Sequence, residues 1–366
     1  MGGGLAGLTS SLHLSRLGID VTLVEKNNFP RHKVCGEYLS NEVLPYLNYL
    51  GIDPFEKGAK KIKNFELSSV GGDTVKASLP LGGFSISRYS LDEMMLNKAK
   101  DQGVVVIKDT VLNIKFSKDR FDVSLKNHND LSSVFVIGAF GKRSVLDQKL
   151  NRSFFKSKAP YLAVKSHYEG VYPEDLVGLH HFYGGYCGVS NVEDNKINIC
   201  YITEYDQFKK YKNIHEFEQK VMHQNQALKE ILENAQPTFK KPLTISQISF
   251  ASKQLVENHI LMSGDSAGMI HPLSGNGMSM AIRSAKMISE LIGQYFNETI
   301  SRSELENQYR ISWNKTFKSR LRVGRFLASV FRMKKLTLIS IGQLKRFPKL
   351  ISMIIKMTHG KTIETA

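Results

Sequence analysis

Apolar residues recur at helical spacing from Leu5 to Leu17, and Gly18 follows where a left-handed cap closes such a helix. Ile19 to Val24 then reads as a short strand that ends on Glu25. A polar, cationic loop, FPRHKVCGEYLS, leads into a helix expected around residues 41–50. Segments 61–69, 74–80, 111–117, 121–126 and 131–137 alternate or run apolar between turn signals such as Gly71-Gly72-Asp73, and predict strands. Between them, SLDEMMLNKAKDQG predicts a helix with Ser90 as N-cap and Gly103 as stop. Strands are expected again at 160–169, 177–189 and 196–203, then a helix over 214–234. A short apolar strand at 259–263 and a long helix opened by Gly275 and Gly277 follow.

The order turn, helix, strand, acid at the start is the later part of a βαβ unit, with the acid about twenty residues after the glycines. Glycines at Gly2, Gly4 and Gly7 allow close backbone approach to a pyrophosphate, and the helix N-terminus supplies partial positive charge. Glu25 is placed to accept hydrogen bonds from an adenosine ribose. A turn of this kind joins a strand to a helix, yet only Met1 precedes it. The expectation is a truncated first strand, short by roughly five to eight residues.

The late segment HILMSGDSAGMIHPLSGNGMSMAIRSAKMISELI delivers Gly264-Asp265 from a strand end, then Pro272, then Gly275 and Gly277 at a helix start. Asp265 can accept bonds from a polyhydroxylated chain, and the amides near Asn276, Gly277 and Met278 can stabilise negative charge on a ring edge. Interleaved strands and helices that return late to a glycine-rich turn suggest a nucleotide domain interrupted by a β-rich one. The expected division is 1–60, 88–157 and 245–300 for the first, 61–87 and 158–244 for the second, and 301–366 for a basic helical C-terminal region.

A length of 366 residues with 42% hydrophobic content fits about two domains. Cys35, Cys187 and Cys200 have neither metal-type spacing nor even pairing, which points to a reducing compartment and excludes a four-thiolate iron–sulfur cluster. No metal site and no nucleic-acid partner are expected. No charged leader with an apolar core opens the chain, and no run of about eighteen apolar residues occurs, so the expected location is cytoplasmic or peripheral at the inner membrane face. The net charge of +16 is concentrated: fourteen Lys/Arg lie between Arg310 and Ala366 against one acid, Glu364. Interleaved with Phe326, Phe331, Ile339, Phe347 and Ile354, these cations suggest a contact through 310–358 with an anionic membrane surface or an acidic carrier protein. A solvated face of helices packed on the body is the alternative.

Four motifs in order over about the first 290 residues carry a resemblance: Gly2-Gly4-Gly7 with Glu25; Arg31-Lys33-Cys35-Gly36; Arg88-Leu91-Asp92-Met95; and Gly264-Asp265-Ser266-Ala267-Gly268 with Pro272, Gly275, Gly277 and Met278. On these the chain resembles the FAD-dependent oxidoreductases built like p-hydroxybenzoate hydroxylase, and within them the geranylgeranyl reductase and flavin monooxygenase-related group. The resemblance implies an α/β fold: a Rossmann-like FAD-binding domain (GR2-type) interrupted by a β-sheet substrate domain, with a helical C-terminal extension. It implies FAD as cofactor, held by Gly2, Gly4, Gly7, Glu25, Arg31, Lys33, Arg88, Gly264 and Asp265, with Pro272, Gly275, Asn276, Gly277 and Met278 along the isoalloxazine. The D-G pair that helps hold flavin and nicotinamide in family hydroxylases stands here as Phe140-Gly141, so the electron donor is left as NADPH or another reductant.

The cofactor carries the chemistry and the protein tunes it. The leading expectation is reduction of a C=C bond in a hydrophobic small molecule, with a protein acid supplying the proton. Hydroxylation of an aromatic, polyketide or quinone-like substrate and a non-catalytic or degraded flavin-binding protein are the alternatives. The sole tryptophan, Trp313, disfavours halogenation, for which relatives carry W-x-W-x-I-P. Candidate catalytic residues are Cys35, a proton donor or a small buried residue, and His271, a relay or a loop cap. Tyr183 and Tyr186 are expected as walls of the substrate site, while His180 and His181, adjacent on a strand, are expected to face opposite sides.

Overall fold

The computed structural model describes residues 1–156, 159–347 and 349–365. Along the chain the elements are α1 (Leu5–Arg16), β1 (Thr22–Glu25), β2 (Tyr38–Ser40), α2 (Leu44–Tyr49), β3 (Lys60–Ser68), β4 (Thr74–Ser85), α3 (Arg88–Asp101), β5 (Val105–Lys108), β6 (Val111–Ser117), β7 (Arg120–Leu125), β8 (Leu131–Ser133), β9 (Ile137–Gly138) and α4 (Val145–Lys149). There follow β10 (Tyr161–Glu169), β11 (Leu176–Phe182), β12 (Gly185–Asn191), β13 (Ile197–Glu204), α5 (Tyr205–Phe208), α6 (Ile214–Lys220), α7 (Gln226–Glu233), β14 (Gln236–Pro237) and β15 (Leu243–Ile248). The last part holds β16 (Val256–Glu257), β17 (Ile260–Met262), α8 (Gly277–Phe296), α9 (Arg302–Arg332), α10 (Lys334–Arg346) and α11 (Lys349–Thr358).

Two parallel pairs frame the part of the chain built around α1. β1 pairs with β5 and β17 with β9 in parallel register. Met1 and Gly2 run between these two pairs: Gly2 N donates to Val24 O, the Met1 amino group to Ile137 O, and Ala139 N to Met1 O. α1 is buried from Leu5 to Leu14, so it reads as an interior helix with α8 and α3 on its flanks. β6, β7 and β8 form a small antiparallel meander.

The second part is a nine-stranded sheet in the order β14-β10-β13-β12-β11-β3-β4-β2, with β15 also paired to β10. Its edge strand β2 comes from within the first sixty residues, and Tyr38, Leu39 and Ser40 lie opposite Ser85, Phe84 and Gly83. Both β2 and β15 are therefore hydrogen-bonded into this sheet, although the pattern of the sequence groups them with the nucleotide domain. α6 and α7 cover one face, burying Phe217, Met222 and Leu228 against Val189, Ile199 and Tyr201.

Four elements differ from their expected bounds or caps. The run 177–189 is two strands, because Gly184 takes φ +86 and turns the chain into a hairpin. The expected helix 214–234 breaks at 221–225, where the Asn225 side chain accepts from Leu228 N and starts α7 afresh. β4 runs on to Ser85 through Pro80 and Gly82-Gly83, since the register shifts between Ile62 and Asn64 and the bulge absorbs the residues that cannot pair. α3 starts at Arg88, capped by Ser87, whose hydroxyl accepts from Ser90 N.

A capping box of Ser301 and Glu304 opens α9, which buries Leu305, Tyr309, Trp313 and Phe317 on one stripe against β17 and α8. α10 and α11 lie on β4, with Ile341, Ile351 and Ile355 buried against Ile62, Val75 and Leu79.

Candidate functional site

The three fingerprint glycines are required for three different reasons. Gly2 has φ +96, and a Cβ there would stand 2.3 Å from Ala139 O. At Gly7 a Cβ would meet Gly2 O at 2.0 Å, so the close packing of helix on turn needs glycine. Gly4 is different: its Cβ would meet nothing but Arg88 Nη2 at 3.9 Å. The space in front of the α1 N-terminus is thus open, and the first-turn amides have no acidic side chain over them.

Glu25 closes one side of this space. Gly3 N donates to its Oε2 at 2.7 Å, and Asn27 donates to Oε1 from both N (2.8 Å) and Nδ2 (2.6 Å). Burial alone would raise the carboxyl, but these bonds outweigh it and hold Glu25 below the usual range, so it is an acceptor at neutral pH. Opposite lies Asp92, which Arg88 grips with two bonds of 2.8 Å, and to which Lys33 donates at 2.5 Å. Lys33 also reaches Gly3 O at 3.2 Å. Arg31 is exposed at the loop edge.

Asp265 stands beyond Arg88. Its carboxylate accepts no hydrogen bond among the described residues, burial pushes its pKa up, and Lys253, Arg88 and Lys142 oppose that push. Lys253 holds the Asp265 backbone carbonyl at 2.6 Å and Lys142 O at 2.7 Å, and burial lowers both lysines to about 8. Gly264, at φ +60, lets this turn approach Ala6 of α1. Farther along, Gly275 takes φ +59 with the Tyr38 ring against it, and Gly277 leaves α8 with an uncrowded first turn. Asn276 donates to Glu42 at 2.9 Å, which fixes the loop from Pro272 to Met278 from below. An open glycine at a helix start, free first-turn amides, a carboxylate fit for a ribose and a half-buried carboxylate with no donor among the described residues together suit a dinucleotide with a polyhydroxylated linker.

Cys35 places its Sγ 3.5 Å from Met278 Sδ, and burial pushes its thiol up, so it is protonated at neutral pH. The expected result is slow alkylation: Cys35 should react with iodoacetamide at under about a tenth of the rate of a free thiol at pH 7.5, and mass mapping of a timed reaction checks this. His271 is 6% exposed and lowered to about 4 by burial, so it is neutral at pH 7. Its Nδ1 faces Leu273 N at 3.4 Å, at the start of the Pro272–Ser274 turn.

Around His271 stands an aromatic wall: Phe250 at 4.6 Å, Tyr186 at 5.9 Å and Tyr161 at 6.0 Å between ring centroids. Tyr186 is paired across the hairpin with His181, which contacts Tyr183 and, on α9, Phe331. His180 faces the other way and bonds Ser68. Two clefts of about 570 and 660 Å³ lie elsewhere, one beside α1 and α8 and the other between β4, α9 and α11.

Sequence reasoning missed one group entirely. Glu37, fully buried at φ +55, bonds Lys165 Nζ and His167 Nε2 of β10 through its two oxygens and accepts Arg88 N at 2.8 Å. Its neighbour His32 brings a third ligand-type atom within 4.8 Å, but the Lys165 ammonium already occupies the carboxylate a cation would need. Nothing local in the sequence marks this group, since its partners lie 128 and 130 residues away.

A family model described as "FAD binding domain" matches residues 1–311. The chain is 26% identical over 182 residues to menaquinone reductase of Mycobacterium tuberculosis, an alignment covering 48% of this chain and 45% of that protein. It is 25% identical over 321 residues to digeranylgeranylglycerophospholipid reductase 1 of Methanothermobacter thermautotrophicus, covering 81% of this chain and 77% of that one. The match thus spans less than half of the menaquinone reductase. The flavin-dependent brominase Bmp2 superposes with a TM-score of 0.79 at 18% identity, over 98% of this chain and 91% of that one, a likeness of fold. With residues 1–311 of 366 matched and the cradle at α1 built for a dinucleotide, the chain belongs to the FAD-binding domain family of flavin-dependent oxidoreductases and monooxygenases.

Proposed function

We propose that the chain is an FAD-dependent reductase of C=C bonds in a hydrophobic substrate. The observation that carries this reading is the aromatic cluster beside the Pro272–Met278 loop: Tyr161, Tyr186, Phe250 and a neutral His271, with the Arg332–Glu204 ion pair at its Tyr161 end. Such a cluster suits a polyene or prenyl chain and excludes water. In this reading the amides after Gly4 face the pyrophosphate, Glu25 the ribose and Asp265 the linker hydroxyls, while Arg88, fixed on Asp92, supports both ends. FAD supplies the hydride equivalent once reduced. The accompanying proton is held at Cys35 Sγ, which burial keeps protonated beside Met278. Trp313 is 6% exposed and packs on Gly268.

The test begins with the spectrum of the purified chain. Flavin bands near 370 and 450 nm, roughly the positions usual for this cofactor, are expected, and they should be lost with Asp265→Ala. The protein is then reduced with dithionite under anaerobic conditions and mixed with a polyprenyl lipid. A product that gains two hydrogens supports the reading. A product that gains oxygen when air is admitted, with none under argon, replaces it with hydroxylation.

A further inference from the structure

The three C-terminal helices carry more exposed apolar surface than their packing on β4 explains. On α10 the residues Lys335, Leu336, Ile339, Gln343 and Arg346 fall within about 100° around the axis, all exposed, opposite the buried Thr337 and Ile341. On α11 the exposed face is Lys349, Leu350, Met353, Lys356 and Met357, opposite Ile351 and Ile355. The outer side of α9 adds Lys318, Arg322, Arg325 and Phe326. Phe326 is 66%, Ile339 61%, Phe347 57% and Met353 52% exposed, unusual values for side chains of this size on neighbouring helices.

The charge of these faces has one sign. Arg332 is paired with Glu204 and Lys345 with Asp73, both outside the C-terminal region. Among the described residues, Lys318, Arg322, Arg325, Lys335, Arg346, Lys349 and Lys356 have no ion-pair partner. Glu364 is the only acid after residue 309.

We infer that the outer faces of α9, α10 and α11 form a docking surface for an anionic lipid bilayer, with the cations at headgroup level and Phe326, Ile339, Phe347 and Met353 entering the acyl boundary. An anionic bilayer satisfies the cations at headgroup level and the protruding apolar side chains in the acyl boundary without any matching pocket. The placement agrees with the cleft of about 660 Å³: Lys356 and Met357 of the docking face form one lip. Tyr38 and Leu79 line it farther in, and the Tyr38 hydroxyl is buried with no hydrogen-bond partner among the described residues. The Tyr38 ring also lies against Gly275 of the flavin loop, so the cleft leads from the proposed lipid face toward the site. No helix of the described residues is long and apolar enough to cross the membrane, which leaves the surface as the contact.

The test uses the whole chain and vesicles of phosphatidylcholine, with or without about 30 mol% phosphatidylglycerol, spun down and assayed for protein. Binding is expected to the anionic vesicles alone, and to weaken in high salt. Lys335→Gln with Arg346→Gln should lower partitioning by roughly fivefold per cation. Ile339→Asp with Met353→Asp should lower it at least as much, with an unchanged melting curve because both side chains are exposed. The inference is overturned if the wild-type chain stays in the supernatant. It is equally overturned if the aspartate pair binds as wild type while soluble polyglutamate competes, since the surface then reads charge alone and fits an acidic protein. Neither readout requires flavin, so failure here is separate from failure of the reductase reading.

Discussion

Gly4→Val is expected to give a folded protein that has lost its flavin, and Gly7→Val a protein that does not fold. Both sit in the same fingerprint, so the contrast is a strong one. At Gly4 the backbone is extended, with φ −92 and ψ −177, which valine adopts readily, and the added side chain enters open space. The cost to the apo fold should stay within about 1 kcal/mol. That same space is where phosphate oxygens would meet the α1 amides. Each amide bond to a charged group is worth about 1.5–3 kcal/mol, so blocking one or two lowers affinity by roughly tenfold to a hundredfold each. At Gly7 the new side chain starts 2.0 Å from Gly2 O in a fully packed helix, and no rotamer relieves a backbone contact. Thermal melts and the flavin absorbance of both variants check the pair. Flavin retained by Gly4→Val at wild-type affinity would remove the proposed phosphate site from α1.

Glu37→Gln is expected to cost about 3–5 kcal/mol, while a double replacement of Glu37 and Lys165 by methionine recovers only part of it, because His167 Nε2 and Arg88 N still lose their acceptor. The reason is the Lys165 ammonium, which is fully buried on the sheet side with Glu37 as its ion-pair partner. Removing one partner leaves an uncompensated buried charge, and removing both leaves an apolar pair of similar volume. The pH dependence follows from the same contact. Burial pushes the Glu37 carboxyl up, but the Lys165 charge and the His167 bond outweigh it, so its folded pKa lies below the unfolded value of about 4.3. The stabilisation is complete above that unfolded value and is lost as the pH falls through the lower folded one. Urea midpoints measured from about pH 3 to 7 should therefore fall at the acid end in the wild-type chain and less so in the double variant. Equal slopes in the two would show that Glu37 carries none of the acid sensitivity.

Much of the nucleotide end was legible because its determinants are local. Gly2, Gly4, Gly7, Glu25 and Gly264-Asp265 are set by turn geometry and short spacing, and the structure packs Gly7 on Gly2, bonds Glu25 to Gly3 N and brings Gly264 to Ala6 of α1. The hairpin at Gly184 was written in the sequence as Gly184-Gly185, but the apolar run on both sides masked it. Asn225, which restarts the helix after residue 221, reads as an ordinary polar residue until its side chain is seen to cap. The Glu37 group, Lys253 and the Tyr161–Phe250–His271 wall depend on contacts between distant segments. Periodicity reports which face is apolar, and it is silent about which distant face will meet it.

The strand β2 has a mechanical consequence. Because Tyr38, Leu39 and Ser40 continue directly from the loop 26–37 into the nine-stranded sheet, the two lobes share a backbone ladder, with Glu37 bolted across it. A rigid-body hinge between them would have to shear three residue pairs and tear an ion pair out of the interior in the same stroke. α10 and α11 are fastened to β4 by side chains, with no ladder to break. The molecule is built like a welded frame with one panel held on by clips.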